Sequence, residues 1–287
     1  MPSPMILTKL KSWLKFPQIN RAEKRLLENW ERDGFIILKN FFNQDDLNSF
    51  EDDLNRTLDN RATVAGNITI DVLEGEFVGQ RLKLADAPES TLKVAYKLND
   101  LYLESQACRD LNLDRKLRRI LSLLLGDEPL VINSLSFQKG SQQPHHFDTY
   151  YMPPMVQDMM AVTSICLEDQ SADTGPLSYY PKSHKIPPYV FSHGGIHAIP
   201  EEMEQATQYV QSELEKRNLK PETFVGKAGD VFIWHAQLYH GGLPIINHEA
   251  TRKTLVTHYW RKQDMEPCQV ATIESGGSYL IREHQNV

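Results

Sequence analysis

Hydrophobic and polar positions divide the chain into two regimes. Up to about residue 129 the apolar residues recur mostly at helical spacing; beyond residue 130 they fall in short runs bounded by turn formers. In the first regime, Arg21–Asp33 predicts a helix, and Gly34 followed by Phe35-Ile36-Ile37-Leu38 predicts a strand. Asn43 predicts the cap of a second helix over about residues 45–58, whose Leu47, Phe50 and Leu54 are spaced by three and four. Residues 67–73 alternate as a strand does, and residues 111–125 read as an amphipathic helix closed by Gly126.

In the second regime, residues 130–139, 159–167, 231–234 and 254–260 predict strands separated by Gly, Pro, Asp and Asn turns. A helix-rich part over residues 1–129 followed by a strand-rich part over 130–262 predicts one domain spanning 1–287. Its fold class is mainly β with flanking α-helices, an antiparallel double-sheet roll with helices packed outside. Residues 185–224 interrupt the strand pattern. They open on Pro187-Pro188, pass through His193-Gly194-Gly195 and continue as a polar helix over about 201–217, with one apolar stripe of Met203, Ala206, Val210 and Leu214. An insertion of that length between core strands reads as a lid or a binding element that sets specificity, with a surface appendage that takes no part in the chemistry as the alternative.

Composition narrows the class of function. The 287 residues carry 38 acidic and 31 basic side chains, a formal charge of −7, which argues against a nucleic-acid partner because phosphate neutralisation needs clustered cations. Cys108, Cys166 and Cys268 are scattered, with no C-x-x-C pair, so neither a zinc ribbon nor a thioredoxin-like motif is present, and a reducing, cytoplasmic setting is expected. Residues 1–16 lack the apolar core and small-residue cleavage site of a signal peptide; Ile6, Leu7, Leu10, Trp13 and Leu14 predict a short packed helix there. No apolar run is long enough for a membrane span.

The chemistry concentrates in His146-Phe147-Asp148 and His240. Side chains at i and i+2 of a strand share a face, so His146 and Asp148 can reach one metal ion together. A second histidine from a neighbouring strand completes two nitrogens and a carboxylate on one face of an octahedron. Such a set leaves positions open and characterises non-haem Fe(II) oxygenases. Gly229-Asp230 precedes the strand over 231–234, His240-Gly241-Gly242 follows as a turn, and Arg252 lies 12 residues beyond His240 at the start of the next strand. An antiparallel partner would return that arginine toward the metal, where its planar fork suits a dicarboxylate.

From Phe35 to Trp260 the chain resembles the phytanoyl-CoA dioxygenase family of Fe(II)/2-oxoglutarate oxygenases. The resemblance rests on Asp33-Gly34-Phe35-Ile36-Ile37-Leu38, His146-Phe147-Asp148, Gly175-Pro176-Leu177 through Pro181-Lys182-Ser183-His184-Lys185, Lys227-Ala228-Gly229-Asp230, His240-Gly241-Gly242 and Arg252-Lys253. It implies a double-stranded β-helix (a cupin-like jelly roll), with His146, Asp148 and His240 as iron ligands and Arg252 as partner of the C5 carboxylate of 2-oxoglutarate. It also implies dioxygen as oxidant, a small-molecule substrate, and oxidation of a C–H bond with release of succinate and CO2. Leu135 and Phe137, on one face of the strand over 130–139, are then placed near the cosubstrate and Asn133 deeper. Two positions depart from the pattern: Gly242 stands where many relatives have serine, and Ser164 where many have a bulky aromatic. Asp148 is retained, which disfavours halogenation.

Alternation continued past Asp148 places Tyr150 and Met152 toward the metal, ahead of Pro153-Pro154, and Trp234 as an apolar wall of the substrate pocket. Of the other histidines, His145 points to the opposite face. His235 is a rival to His240, from which the turn and the spacing to Arg252 set it apart. His184 is a packing residue, His193 and His197 lie in the insertion, and His248 and His258 read as surface and strand positions. Two other classes of function remain open at this point. One is a non-catalytic binding module on the same roll; the other is a cupin-like metalloenzyme that does not use dioxygen.

Overall fold

The computed structural model describes residues 19–64 and 66–282, so the helix expected within 1–16 lies outside it. In chain order the elements are α1 (Arg21–Asp33), β1 (Phe35–Leu38), α2 (Gln44–Asp59), β2 (Thr69–Val72), β3 (Arg81–Lys83), β4 (Tyr96–Asn99), α3 (Gln106–Asn112), α4 (Arg115–Leu125) and β5 (Pro129–Phe137). They continue with β6 (Ala161–Cys166), β7 (Leu177–Tyr179), α5 (Met203–Lys216), β8 (Glu222–Phe224), β9 (Val231–His235), β10 (His240–Gly242), β11 (Thr254–Arg261), β12 (Val270–Thr272) and β13 (Ser278–Leu280).

The large sheet runs β1-β9-β6-β11-β5-β4-β2-β3, with β13 added in parallel to β5 and β12 paired to β13; a small sheet runs β10-β7-β8. Alternation along the central strands separates two cores. Ala161 and Ile165 of β6, Val231 and Ile233 of β9, and Leu255 and Tyr259 of β11 pack outward against Leu27 and Trp30 of α1 and Leu117 and Leu121 of α4. Val162, Phe232 and Trp234 turn inward and meet Tyr179 and Phe224 of the small sheet. At about 25 cal/mol per Å² of apolar surface buried, these two layers are the main source of stability, and they hold the inner face of β5, β6, β9 and β11 open toward one end.

The helices start and stop where local chemistry directs. Asn43 closes a reciprocal capping box with Asp46 at the head of α2, and Gly126 ends α4 in the left-handed conformation, with φ at 74°. The large sheet ignores the compositional change at residue 130: β1 pairs with β9, and β4 pairs with β5, so the helix-rich segment supplies half of the sheet's main path.

Asp230 ties three segments together. Its buried carboxylate accepts from Lys39 Nζ at 2.8 Å and from the backbone N–H groups of Asn40 and Lys227, each at 2.9 Å. Burial pushes this carboxyl up, but those donors pull it below the usual carboxylate range. Its stabilisation is therefore complete above the pKa of an unfolded aspartate and fades as pH falls through the lowered folded value. Replacing Asp230 with alanine is expected to cost about 2–3 kcal/mol. Denaturant unfolding at neutral pH checks this, and the loss should shrink in acid.

Candidate metal and cosubstrate site

His146 and His240 are direct cross-strand partners. The His146 N–H donates to the His240 carbonyl at 2.8 Å and the His240 N–H donates back at 3.1 Å, which sends both side chains to the same face. Their rings lie 4.6 Å apart between centroids. The Nδ1 of His146 is 2.8 Å from the Pro144 carbonyl and that of His240 is 2.9 Å from the Leu238 carbonyl. A carbonyl only accepts, so each Nδ1 carries the hydrogen and each Nε2 presents a lone pair inward.

Asp148 completes the group. Its Oδ1 is 3.5 Å from His146 Nε2 and 3.7 Å from His240 Nε2, and one ligand atom from each of the three residues falls within 4.8 Å of the others. The Trp234 indole N–H donates to Asp148 Oδ2 at 2.8 Å and fixes which oxygen faces the histidines. Burial pushes the Asp148 carboxyl up, yet the imidazoles of His240, His146 and His258 outweigh it and hold the group well below the usual range. Burial drives His240 down to about 4 even against the pull of Asp148. A neutral imidazole beside a full carboxylate is the protonation state a divalent cation needs.

These residues open onto a cavity of about 670 Å³ between the two sheets. Arg252 lies in its wall, only 7% exposed, with no hydrogen-bond partner at Nε, and burial lowers its pKa to about 10. A buried guanidinium without an anion is costly, so this position fits a ligand carboxylate. Leu135, Phe137 and Asn133 face the same space from β5, as do Met152 and Trp234. The donor set of His146, Asp148 and His240 fits a ferrous ion, and the orphaned Arg252 fits the far carboxylate of 2-oxoglutarate.

Gly242 also borders the cavity, and its departure from serine has a steric reason. A Cβ there would come within 2.7 Å of Ser141 Oγ and 2.8 Å of the Gln142 nitrogen; one on Gly241 would lie 2.8 Å from the Gln143 carbonyl oxygen. The segment over 141–145 lies directly on the β10 backbone, and the hydroxyl beside position 242 belongs to Ser141, itself in the cavity wall.

The structure differs from the expectations in three places. The chain does not continue as a strand past Asp148: residues Asp148–Tyr150 form a turn of 3₁₀-helix, which rotates Tyr150 away from the metal. Tyr150 packs against Phe147 and Phe191 and its hydroxyl accepts from the Tyr189 N–H, while Tyr151 joins Met152 in the cavity wall. The insertion over 185–224 supplies none of the described residues that border this cavity. Phe191, Ala206, Val210 and Leu214 bury themselves against Phe147, Tyr150 and Tyr239, so the segment braces the turn that carries Asp148 from behind. Trp234 is more than an apolar wall, since its N–H holds Asp148. Its replacement by phenylalanine is expected to weaken Fe(II) binding by roughly 10- to 100-fold, as loss of an outer partner of a metal ligand does; competition against a chromophoric chelator checks this.

His258 is the residue missed from the sequence. It is 2% exposed, its Nε2 is 3.7 Å from Asp148 Oδ1, and its Nδ1 has no hydrogen-bond partner among the described residues. Arg252, Thr254, Val256 and His258 all border the cavity, a period-two series along β11 that starts from the arginine already singled out. The remaining histidines lie elsewhere: His145 Nε2 meets Ser178, His235 packs at a tilt between Trp30 and His184, and His193 meets the His197 carbonyl.

Comparison with known proteins follows the same lines. The chain spans about half the length of a curated relative, ectoine dioxygenase from Stutzerimonas stutzeri (strain A1501): 27% identity over 168 residues, covering 56% of this chain and 50% of the relative. Among solved structures, the 2-oxoglutarate-dependent epimerase SnoN of nogalamycin biosynthesis superposes with a TM-score of 0.60 at 17% identity, covering 93% of this chain and 95% of its own. The enzyme EctD from S. alaskensis, with 2-oxoglutarate and 5-hydroxyectoine, gives 0.60 at 18% identity, covering 86% and 80%. These likenesses show the jelly-roll fold. A sequence model of the family described as Phytanoyl-CoA dioxygenase (PhyH) matches residues 30–254, most of the described chain. With that match, the chain belongs to the phytanoyl-CoA dioxygenase family of iron- and 2-oxoglutarate-dependent oxygenases.

Proposed function

We propose that this protein is an Fe(II)- and 2-oxoglutarate-dependent dioxygenase that hydroxylates an unactivated C–H bond of a small-molecule metabolite. The observation that carries the reading is the pairing, in one cavity, of the His146–Asp148–His240 group with a buried guanidinium that has no anion among the described residues. When bound, iron and 2-oxoglutarate supply the oxidising chemistry: one dioxygen is consumed, the 2-oxo acid becomes succinate and CO2, and the substrate gains one oxygen atom.

The chain's own residues bind, orient and exclude water. Arg252 takes the distal carboxylate, with Leu135 and Phe137 flanking it from β5 and the bare backbone of Gly242 leaving room. Trp234 keeps Asp148 in one rotamer, so the metal is presented at a fixed distance from the substrate side, where Asn133 and Met152 stand. The cavity is of a size for a cosubstrate and one metabolite together. Ectoine, the compound in the relative's name, belongs among the first substrates to offer.

An anaerobic titration of the metal-free protein with Fe(II) and then 2-oxoglutarate tests the reading. A visible charge-transfer band of a chelated 2-oxo acid is the expected result. A folded protein that binds iron but develops no band would overturn it.

A further inference from the structure

Gly242 leaves the cosubstrate end of the cavity one donor short. A ligand carboxylate presents two oxygens and about four acceptor sites, of which a single guanidinium fills only part. The serine that many relatives carry at this place would offer a further O–H; here the place has no side chain. The hydroxyl has nevertheless not left the site. A Cβ added to Gly242 would stand 2.7 Å from Ser141 Oγ, so that oxygen already occupies the space into which a side chain from β10 would grow. Ser141, Gly242 and Arg252 all border the cavity.

Local structure holds Ser141 there. The Arg252 N–H donates to the Gln138 carbonyl at 2.9 Å, which sets the arginine beside the end of β5 from which the segment with Ser141 continues. That segment then folds onto β10. The Gly242 N–H donates to the Gln143 carbonyl at 2.9 Å, and the Ile245 N–H donates to Gln142 Oε1 at 3.0 Å. Gln142 itself is left-handed, with φ at 51°, a conformation that a residue with a side chain keeps where the bonds around it hold it. Ser141 is half-buried, and its Oγ accepts from the Gln143 N–H at 3.3 Å, while its own hydrogen has no acceptor among the described residues. A hydroxyl whose oxygen is engaged and whose hydrogen is free acts toward a ligand as a donor.

We propose that Ser141 binds the distal carboxylate of 2-oxoglutarate beside Arg252, in place of a hydroxyl from position 242. The guanidinium supplies the charge. The hydroxyl supplies a second direction of donation, which fixes the roll of the carboxylate and so the reach of the 2-oxo acid toward His146, Asp148 and His240. Two features that stand far apart in the sequence thereby become one exchange: a side chain lost from β10, and a serine in the segment that lies on β10 and needs that strand bare. The proposal rests on the oxygenase reading above and adds to it a residue of this chain that recognises the far end of the cosubstrate.

The test uses the full chain loaded anaerobically with Fe(II) and titrated separately with 2-oxoglutarate and with 2-oxopentanoate, which has a methyl group in place of the distal carboxylate. The charge-transfer band reads binding without turnover. In Ser141→Ala the half-saturating 2-oxoglutarate concentration should rise roughly tenfold, as loss of one charge-assisted hydrogen bond does, while that of 2-oxopentanoate stays within about twofold of wild type. Ser141→Asp sets a second carboxylate against the ligand's, so 2-oxoglutarate should bind roughly another tenfold or more weakly than to Ser141→Ala. Without ligand, the same new carboxylate stands beside the Arg252 guanidinium, so the melting temperature of that variant should be no lower than wild type. A Ser141→Ala protein that binds 2-oxoglutarate as wild type does, or that weakens both 2-oxo acids by the same factor, would overturn the assignment and leave the oxygenase reading standing. So would a Ser141→Asp protein that binds 2-oxoglutarate no more weakly than Ser141→Ala. Failure of the band in the wild type would overturn the oxygenase reading, and the assignment of Ser141 with it.

Discussion

Asp148→Ala is expected to abolish substrate-triggered formation of succinate and to weaken Fe(II) binding by more than the roughly 10- to 100-fold that removal of an outer partner costs. Asp148 is the only anion among the three proposed ligands, and three imidazoles converge on its Oδ1 within 3.7 Å. Removing the carboxylate takes away both the charge that attracts the cation and the acceptor of the Trp234 N–H. The fold should persist, because the turn that carries Asp148 is braced independently by Phe147 and Tyr150 against the insertion. Circular dichroism separates loss of the site from loss of the fold, and a chelator competition gives the metal affinity. Unchanged iron affinity in the folded variant would refute the assignment of Asp148 as a ligand. Asp148→Glu is a useful companion: it keeps the charge but moves it by one methylene out of reach of the Trp234 N–H, so it should bind metal yet turn over poorly.

The parts of the site legible in the sequence are those set by local geometry. His146 and Asp148 are two residues apart, the turn after His240 is written in two glycines, and Arg252 opens a strand whose direction follows from antiparallel pairing. The same alternation that points Arg252 inward also points His258 inward; following β11 for three more inward positions would have found it. Tyr150 was misplaced for the opposite reason. Alternation was carried into a segment where backbone hydrogen bonds from Tyr151 and Met152 to the Asp148 carbonyl close a tight turn instead. A helical turn there is indistinguishable from a strand end by pattern alone, since Pro153-Pro154 terminates either.

Non-local features were out of reach. Arg81, Lys97 and Arg282 are far apart in sequence, and β3 and β4 are strands of only three and four residues. Only the sheet order brings the three cations to the cavity wall, which is why the sequence showed no basic cluster and the structure shows one. The insertion illustrates the limit from another side. Its apolar stripe of Met203, Ala206, Val210 and Leu214 foretold a buried helix face correctly, but a stripe says nothing about what covers it. Here the covering surface is the back of the turn that carries Asp148, so the segment holds that turn in place.

Arg252→Met is expected to leave the ligand-free protein no less stable than wild type, and up to several degrees more stable, while abolishing the rise in melting temperature caused by 2-oxoglutarate. The two halves have one cause. Burial lowers the Arg252 pKa from 12.5 to about 10, so the folded protein without an anion carries a penalty on the order of 3 kcal/mol for keeping that guanidinium charged. Because the folded value lies below the unfolded one, the penalty is complete at every pH below about 10 and fades only as pH rises toward the unfolded value. Methionine keeps much of the apolar stem that packs in the wall and drops the charge. In the proposed function the distal carboxylate of 2-oxoglutarate relieves the same penalty in wild type by binding, so removing the Arg252 guanidinium should raise the half-saturating 2-oxoglutarate concentration by roughly 100-fold or more. Fe(II) affinity should change little, since Arg252 is not among the three residues proposed to hold the metal. Thermal unfolding with and without 2-oxoglutarate, followed by the anaerobic titration, reads both halves on one preparation. A variant that is strongly destabilised without ligand would mean that Arg252 is a structural residue with a partner in the folded chain, and one that still binds 2-oxoglutarate normally would place the carboxylate elsewhere. Stability withheld at this position and returned by the cosubstrate is what a preorganised anion site requires: the chain holds the cation out of water so that little rearrangement opposes binding.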